Sequence, residues 1–186
     1  MKTSNLLILI SLFILITGCV KDDPGIDFKC GDNQDVCDLT KSNNAYGYDL
    51  FKKLHEEEPE SNLFISPFSI STAFGMLLNG ARTETRQEIL EVMHLNGWTE
   101  EDMNDAFKAL LEILPALDSK VKLNLANSIW YRNGYQVLED FLQRNSEHFA
   151  SEIREMDFSD PQTKEIINSW IEDQTNGKIK DMIDQI

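Results

Sequence analysis

An α+β fold dominated by helices follows from three features of the sequence. Apolar residues recur at helical spacing in successive stretches between residues 44 and 171. One stretch, 121–131, alternates apolar and polar residues with the period of a strand. Helix-start chemistry stands before several of the helical stretches, as in Ser66-Pro67, Thr99 with Glu100-Glu101-Asp102, and Asp160-Pro161.

The chain has 186 residues, which suits one domain at about 150 residues per domain. Lys and Arg number 17 against 32 Asp and Glu, a formal charge of −15. That balance argues against nucleic acid as a partner, because phosphate contacts need clustered Lys and Arg. Hydrophobic residues make up 41% of the chain, too many for a disordered acidic tail. Three cysteines are too few to build a disulfide scaffold.

Residues 1–18 read as an export signal. Lys2 precedes the run Leu6 to Ile16, apolar except for Ser11. The run is too short to span a bilayer and has the length of a signal-peptide core. Its end, Ile16-Thr17-Gly18-Cys19, resembles the lipobox of bacterial lipoproteins. The resemblance implies cleavage before Cys19 and acylation of its thiol; the alternative is an ordinary secretory signal that contains a cysteine. Acyl chains would hold the protein on a membrane, periplasmic or at the cell surface. Val20-Lys21-Asp22-Asp23 resembles an export signal to the cell surface and equally suits a solvated tether. Pro24, Gly25 and Gly31 continue the tether, assigned to 19–41. Cys30 and Cys37 lie within it. Outside the cytoplasm they suit a small disulfide loop; the other readings are two thiols or, with no nearby His, at best half of a metal site.

The folded part is assigned to 42–186. Tyr48, Leu50, Phe51 and Leu54 mark a helix over 44–55 that ends at Glu56 to Pro59. Asn62 to Ser66 reads as a short strand. Ser66 then caps, and Pro67 starts, a helix whose apolar residues on most sides predict burial. Thr85 and Glu88 have capping-box spacing ahead of Ile89, Val92 and Met93. Thr99 opens the next helix, with Met103, Ala106, Phe107, Leu110 and Leu111 along one face. The period-2 strand 121–131 ends in an Asn133-Gly134 turn. A helix through Leu138, Phe141 and Phe149, a weaker strand at 152–158, and a helix from Asp160-Pro161 to Asn176-Gly177 follow. Ile179, Met182, Ile183 and Ile186 suggest a last amphipathic turn.

No hydrolase elbow, phosphate loop, zinc helix or dinucleotide fingerprint occurs, and His55, His94 and His148 are isolated. The residues thus predict neither enzyme, cofactor nor metal.

Three separated segments carry a resemblance to the serpins. Asn62-Leu63-Phe64-Ile65-Ser66-Pro67-Phe68-Ser69-Ile70-Ser71, with Ala73 to Leu78, is similar to the family's second helix. Leu125-Ala126-Asn127-Ser128-Ile129-Trp130 resembles a strand of its central sheet. Ile167-Asn168-Ser169-Trp170-Ile171 with Thr175-Asn176-Gly177-Lys178-Ile179 resembles the helix that covers the sheet, and its exit. The resemblance implies six to seven helices, at least two strands of the central sheet, and an incomplete, N-terminal portion of the fold. It places Ser66 and Ser69 at the shutter where the sheet opens, with Asn62 leading into it. Asn168, Trp170 and Thr175 dock the covering helix.

By the same resemblance the activity is protease inhibition by a trap. A protease, serine or alternatively cysteine, cleaves a reactive loop that then inserts into the sheet. The alternative is a non-inhibitory binding or scaffold lipoprotein. The reactive centre is expected beyond Ile186, so the chain alone is expected to be inactive.

Overall fold

The computed structural model describes residues 33–185. The elements are α1 (Gln34–Glu57), α2 (Pro67–Leu78), α3 (Thr83–Val92), α4 (Glu100–Ile113), a 3₁₀ turn (Leu114–Ala116), β1 (Ser128–Arg132), α5 (Glu139–Phe149), β2 (Glu152–Met156) and α6 (Gln162–Gln174). Six α-helices and two strands among the described residues match the predicted α+β class. The signal segment, Cys19, Cys30 and Ile186 lie outside the described residues.

The core forms where α1, α2, α4 and α5 meet. Val36 and Leu39 of α1 join Met76 and Leu78 of α2, Met103, Ala106, Phe107 and Leu110 of α4, and Phe149 of α5. In α1 and α4 these residues recur at three or four, so one face of each of those helices is apolar. The Phe107 and Phe149 rings lie 5.3 Å apart at 40°. Gly75 makes room for both, since a Cβ there would fall 2.9 Å from a ring carbon of each.

β1 and β2 pair in parallel, Ser128 opposite Glu152 through Arg132 opposite Met156, with α5 as the crossover. A parallel pair needs such a long connection, and a helix supplies it. Asn127 secures the start of the pair. Its carbonyl accepts the Glu152 N–H at 2.9 Å, and its Nδ2 donates to the Phe149 carbonyl at 2.8 Å.

Several sequence expectations are corrected. α1 starts at Gln34, so 34–41, read as tether, is helix; Asn33 caps it by accepting the Val36 N–H at 3.3 Å. Cys37 is therefore a helical residue, buried and disulfide-bonded, with its partner outside the described residues. Segment 62–66 carries no strand ladder. Of the predicted strand 121–131, only the part from Ser128 is paired, because β2 reaches no further back than Glu152. Thr85 caps nothing: α3 starts at Thr83 after Arg82, so the Thr85–Glu88 pair lies inside the helix. β2 stops at Met156 rather than 158. Residues 178–185 form no helix. Only one side of α2 is buried; Ala73 and Leu77 are exposed.

Candidate functional site: the groove between α2, α6 and the extended segment before β1

Ser66 ends an extended segment and caps α2. Its Oγ accepts the Ser69 N–H at 3.4 Å, and the two hydroxyls are hydrogen-bonded at 2.8 Å. Pro67 occupies the first helical position, where a missing N–H costs nothing. One turn on, the Thr72 hydroxyl donates to the Phe68 carbonyl at 2.7 Å and turns the side chain back into the helix. The exposed side of α2, with Phe68, Ser69 and Ala73, forms one wall of a groove of about 710 Å³. The extended segment bearing Leu123 and Leu125 forms the second wall, and Thr175 and Ile179 the third. Of the predicted apolar face of 121–131, Val121 and Leu123 stay exposed.

α6 lies against the sheet through tryptophan. The Trp170 and Trp130 rings meet edge to face, 5.7 Å apart at 80°, a favoured aromatic geometry. The Arg154 guanidinium stands 5.6 Å from the Trp130 ring. The buried Asn168 clasps the chain after α6 in both directions: Nδ2 donates to the Ile183 carbonyl and Oδ1 accepts the Ile183 N–H, each at 2.9 Å. The Thr175 hydroxyl donates to the Ile171 carbonyl at 2.8 Å and accepts the Ile179 N–H at 3.0 Å. Lys180 joins Glu172 at 2.6 Å, and that contact raises the lysine's pKa.

Of the residues singled out from sequence, Ser69 and Thr175 line this groove. Ser66 stands beside it through Ser69, while Asn168 and Trp170 position α6 and its exit. Asn62 is exposed and does not line the groove.

Sequence reading missed a buried chain of asparagines behind α2. Asn104 Nδ2 donates to Asn79 Oδ1 at 2.9 Å, Asn79 Nδ2 to Asn145 Oδ1 at 3.2 Å, and Asn145 Nδ2 to the Phe141 carbonyl at 2.9 Å. These amides fix the end of α2 to α4 and α5. A polar residue inside the apolar stripe Met103 to Phe107 was the one available signal. Nearby, Arg86 donates to the Leu78 carbonyl at 2.8 Å and faces Glu100 at 3.8 Å. Burial, then the charges of Arg82 and Arg144, lower the pKa of Arg86. Arg144 also pairs with Glu100, as well as with Asp140.

The groove offers hydroxyls, amides, apolar carbon and the two lysines Lys122 and Lys178. It has no convergent acid, base and nucleophile. Among the described residues, no three His, Cys, Asp or Glu side chains converge as metal ligands, and no helix is long and apolar enough to cross a membrane. What it does offer is room beside an extended backbone that has no ladder partner among the described residues.

A family model described as serpin (serine protease inhibitor) matches residues 41–186. The leukocyte elastase inhibitor of Sus scrofa is 32% identical over 147 residues, covering 78% of this chain and 38% of the relative. The alpha-1-antiproteinase of Rattus norvegicus is 35% identical over 144 residues, covering 76% of this chain and 35% of the relative. The solved structure of reactive-loop-cleaved human thyroxine binding globulin superposes with a TM-score of 0.73 at 28% identity, over 81% of this chain and 45% of that one. The chain thus spans little more than a third of the length of these curated relatives.

Proposed function

Since the chain belongs to the serpin family, we propose that it supplies the stationary, N-terminal part of a protease-trapping inhibitor held at a membrane by a lipid. In this reading the reactive loop belongs to the C-terminal part of such an inhibitor. After a protease cleaves that loop and becomes acylated, the loop enters the central sheet as a new strand and carries the protease with it. Serine proteases are the first target class, cysteine proteases the second. No side chain of this chain performs catalysis. Its part is mechanical. The β1–β2 pair and α6 form the fixed side of the sheet, and α2 with Ser66 and Ser69 forms the floor over which strands part.

One observation carries this reading: the groove beside 122–127, where an extended backbone lies next to the Ser66–Ser69 pair and lacks a strand partner among the described residues. The test is a full-length version carrying a reactive loop, incubated with a panel of serine and cysteine proteases. The expected product is a complex that survives boiling in SDS. A panel that yields only cleaved inhibitor and free protease rejects the trap.

A second reading has its own support, because a protein named for binding thyroxine shares this fold. In that reading the protein is a non-inhibitory binding or scaffold lipoprotein. Small residues at the loop hinge favour insertion and the trap; bulky or charged ones favour the scaffold.

Export and anchoring belong to the same proposal. The Ile16-Thr17-Gly18-Cys19 sequence and the disulfide state of Cys37 support an oxidising compartment outside the cytoplasm. Val20-Lys21-Asp22-Asp23 favours the cell surface over the periplasm. Cys19→Ala is expected to move the protein from the membrane fraction to the soluble one; an unchanged distribution rejects the anchor.

A further inference from the structure

The chain holds four Asn-Gly pairs, at 79–80, 96–97, 133–134 and 176–177. Each pair carries the means of its own modification. The glycine nitrogen can attack the asparagine Cγ, because glycine has no side chain to shield it. The attack needs that nitrogen free, and the fold treats the four pairs differently.

Three of the nitrogens are held. The Gly80 N–H donates to the Leu77 carbonyl at 2.9 Å and the Gly177 N–H to the Glu172 carbonyl at 2.8 Å. The Gly134 N–H donates to the Glu155 carboxylate at 2.8 Å. Asn79 is also buried, with both ends of its amide spent in the asparagine chain. Gly97 is the exception. Its N–H has no acceptor among the described residues, and both it and Asn96 are exposed. At φ +86° the glycine stands clear, since a Cβ there would meet nothing within 4 Å. Asn96 Oδ1 accepts from Gln87 Nε2 at 3.3 Å, which draws electrons away from Cγ and leaves Nδ2 unbound.

We propose that Asn96 is a deamidation site selected by the fold, and that the other three Asn-Gly pairs are protected by the hydrogen bonds of their glycines. Solvent removes the Gly97 amide proton, the nitrogen bonds to Asn96 Cγ, and the Cγ–Nδ2 bond breaks with release of ammonia. The five-membered imide then takes up one water. Opening at the side-chain carbonyl leaves aspartate; opening at the backbone carbonyl leaves isoaspartate, whose chain runs through Cγ. One water enters and one ammonia leaves. A nitrogen that must first give up a hydrogen bond reacts roughly two- to tenfold more slowly, from the net worth of such a bond. The site lies in a turn whose ends are fixed. The Trp98 N–H donates to the Leu95 carbonyl at 3.2 Å, Leu95 belongs to the core, and Trp98 packs against it. Isoaspartate lengthens the backbone between those two residues and so loosens the connection from α3 to α4.

Trypsin separates the four pairs. Cleavage after Lys53, Arg86, Arg132 and Lys164 places them in peptides 54–82, 87–108, 133–144 and 165–178. The purified full chain is aged in neutral buffer, with a parallel sample unfolded in guanidinium. Each deamidation adds about 1 Da, followed by mass spectrometry and placed by fragmentation. In the native chain the gain at position 96 is expected to run roughly two- to tenfold ahead of the other three. In guanidinium the four rates are expected to draw together. Native rates at 133 or 176 that equal the rate at 96 overturn the proposal. A lead at 96 that persists in guanidinium also overturns it, because the neighbours in sequence, and not the fold, then set the order. Glu155→Ala gives a second measurement. It frees the Gly134 N–H and is expected to bring the rate at Asn133 up to that at Asn96; an unchanged rate at Asn133 overturns the protective role of the held nitrogens.

Discussion

Asn79 is the middle link of the buried amide chain, and both of its neighbours depend on it. Asn79→Ala leaves the Asn104 donor and the Asn145 acceptor without partners in a site that excludes water. Each orphaned group costs about 1–3 kcal/mol, so a loss of about 2–6 kcal/mol is expected, read as a lower urea midpoint at unchanged slope. A loss under about 1 kcal/mol would mean that water reaches the amides. Asp157 offers a test by pH. Its carboxyl accepts the Ser159 hydroxyl at 2.6 Å and the Ser159 N–H at 2.9 Å, which holds its pKa below the usual value. A depressed acid contributes stability in full above its unfolded pKa, about 3.9, and loses it as pH falls through the folded value. The Ser159 amide resonance should therefore titrate below the ordinary aspartate range. Ser159→Ala, which removes the largest cause, should move that midpoint upward. Neither site was legible in the sequence, because an isolated Asn or Asp does not name its partner across the fold.

Elements were legible where a local rule decided them. The Ser66-Pro67 start of α2 and the Thr99 start of α4 follow from capping chemistry that needs only neighbouring residues. Thr85 had the same chemistry and failed, because α3 begins two residues earlier and its arginines reach back to the end of α2. The period-2 stretch before β1 shows a different limit. Alternation states which face would be apolar, but a ladder exists only where a second backbone lies alongside, and β2 covers five residues. α2 itself invites a packing test at Gly75. Alanine there gains about 1 kcal/mol of helix propensity. Its methyl would meet two fully buried rings at 2.9 Å, and such overpacking costs about 1–3 kcal/mol. A net destabilisation is expected in a thermal melt, and a rise in midpoint would show that the Phe107 and Phe149 rings can give way.

For the molecule as a whole, one core is complete and two surfaces are not. Phe64, Tyr48 and Phe51 lie exposed near the start of α2, and Val121 and Leu123 along the groove. Apolar surface of this kind, next to an unpaired strand edge, drives association. The chain expressed alone should sediment as concentration-dependent oligomers, and Leu123→Lys should shift it toward monomer; a monomer at every concentration would mean that the edge is already protected. The overall class was readable from composition and periodicity. The open groove was not, because it depends on what fails to cover an element rather than on the element's own residues. The β1–α5–β2 unit carries one more consequence. Its two strands come from one unbroken run, Ser128 to Met156, and every ladder partner lies within that run. A nascent chain can therefore zip this unit shut as soon as Met156 clears the ribosome or a translocation channel, and whatever is synthesised afterwards meets a finished template instead of helping to build it.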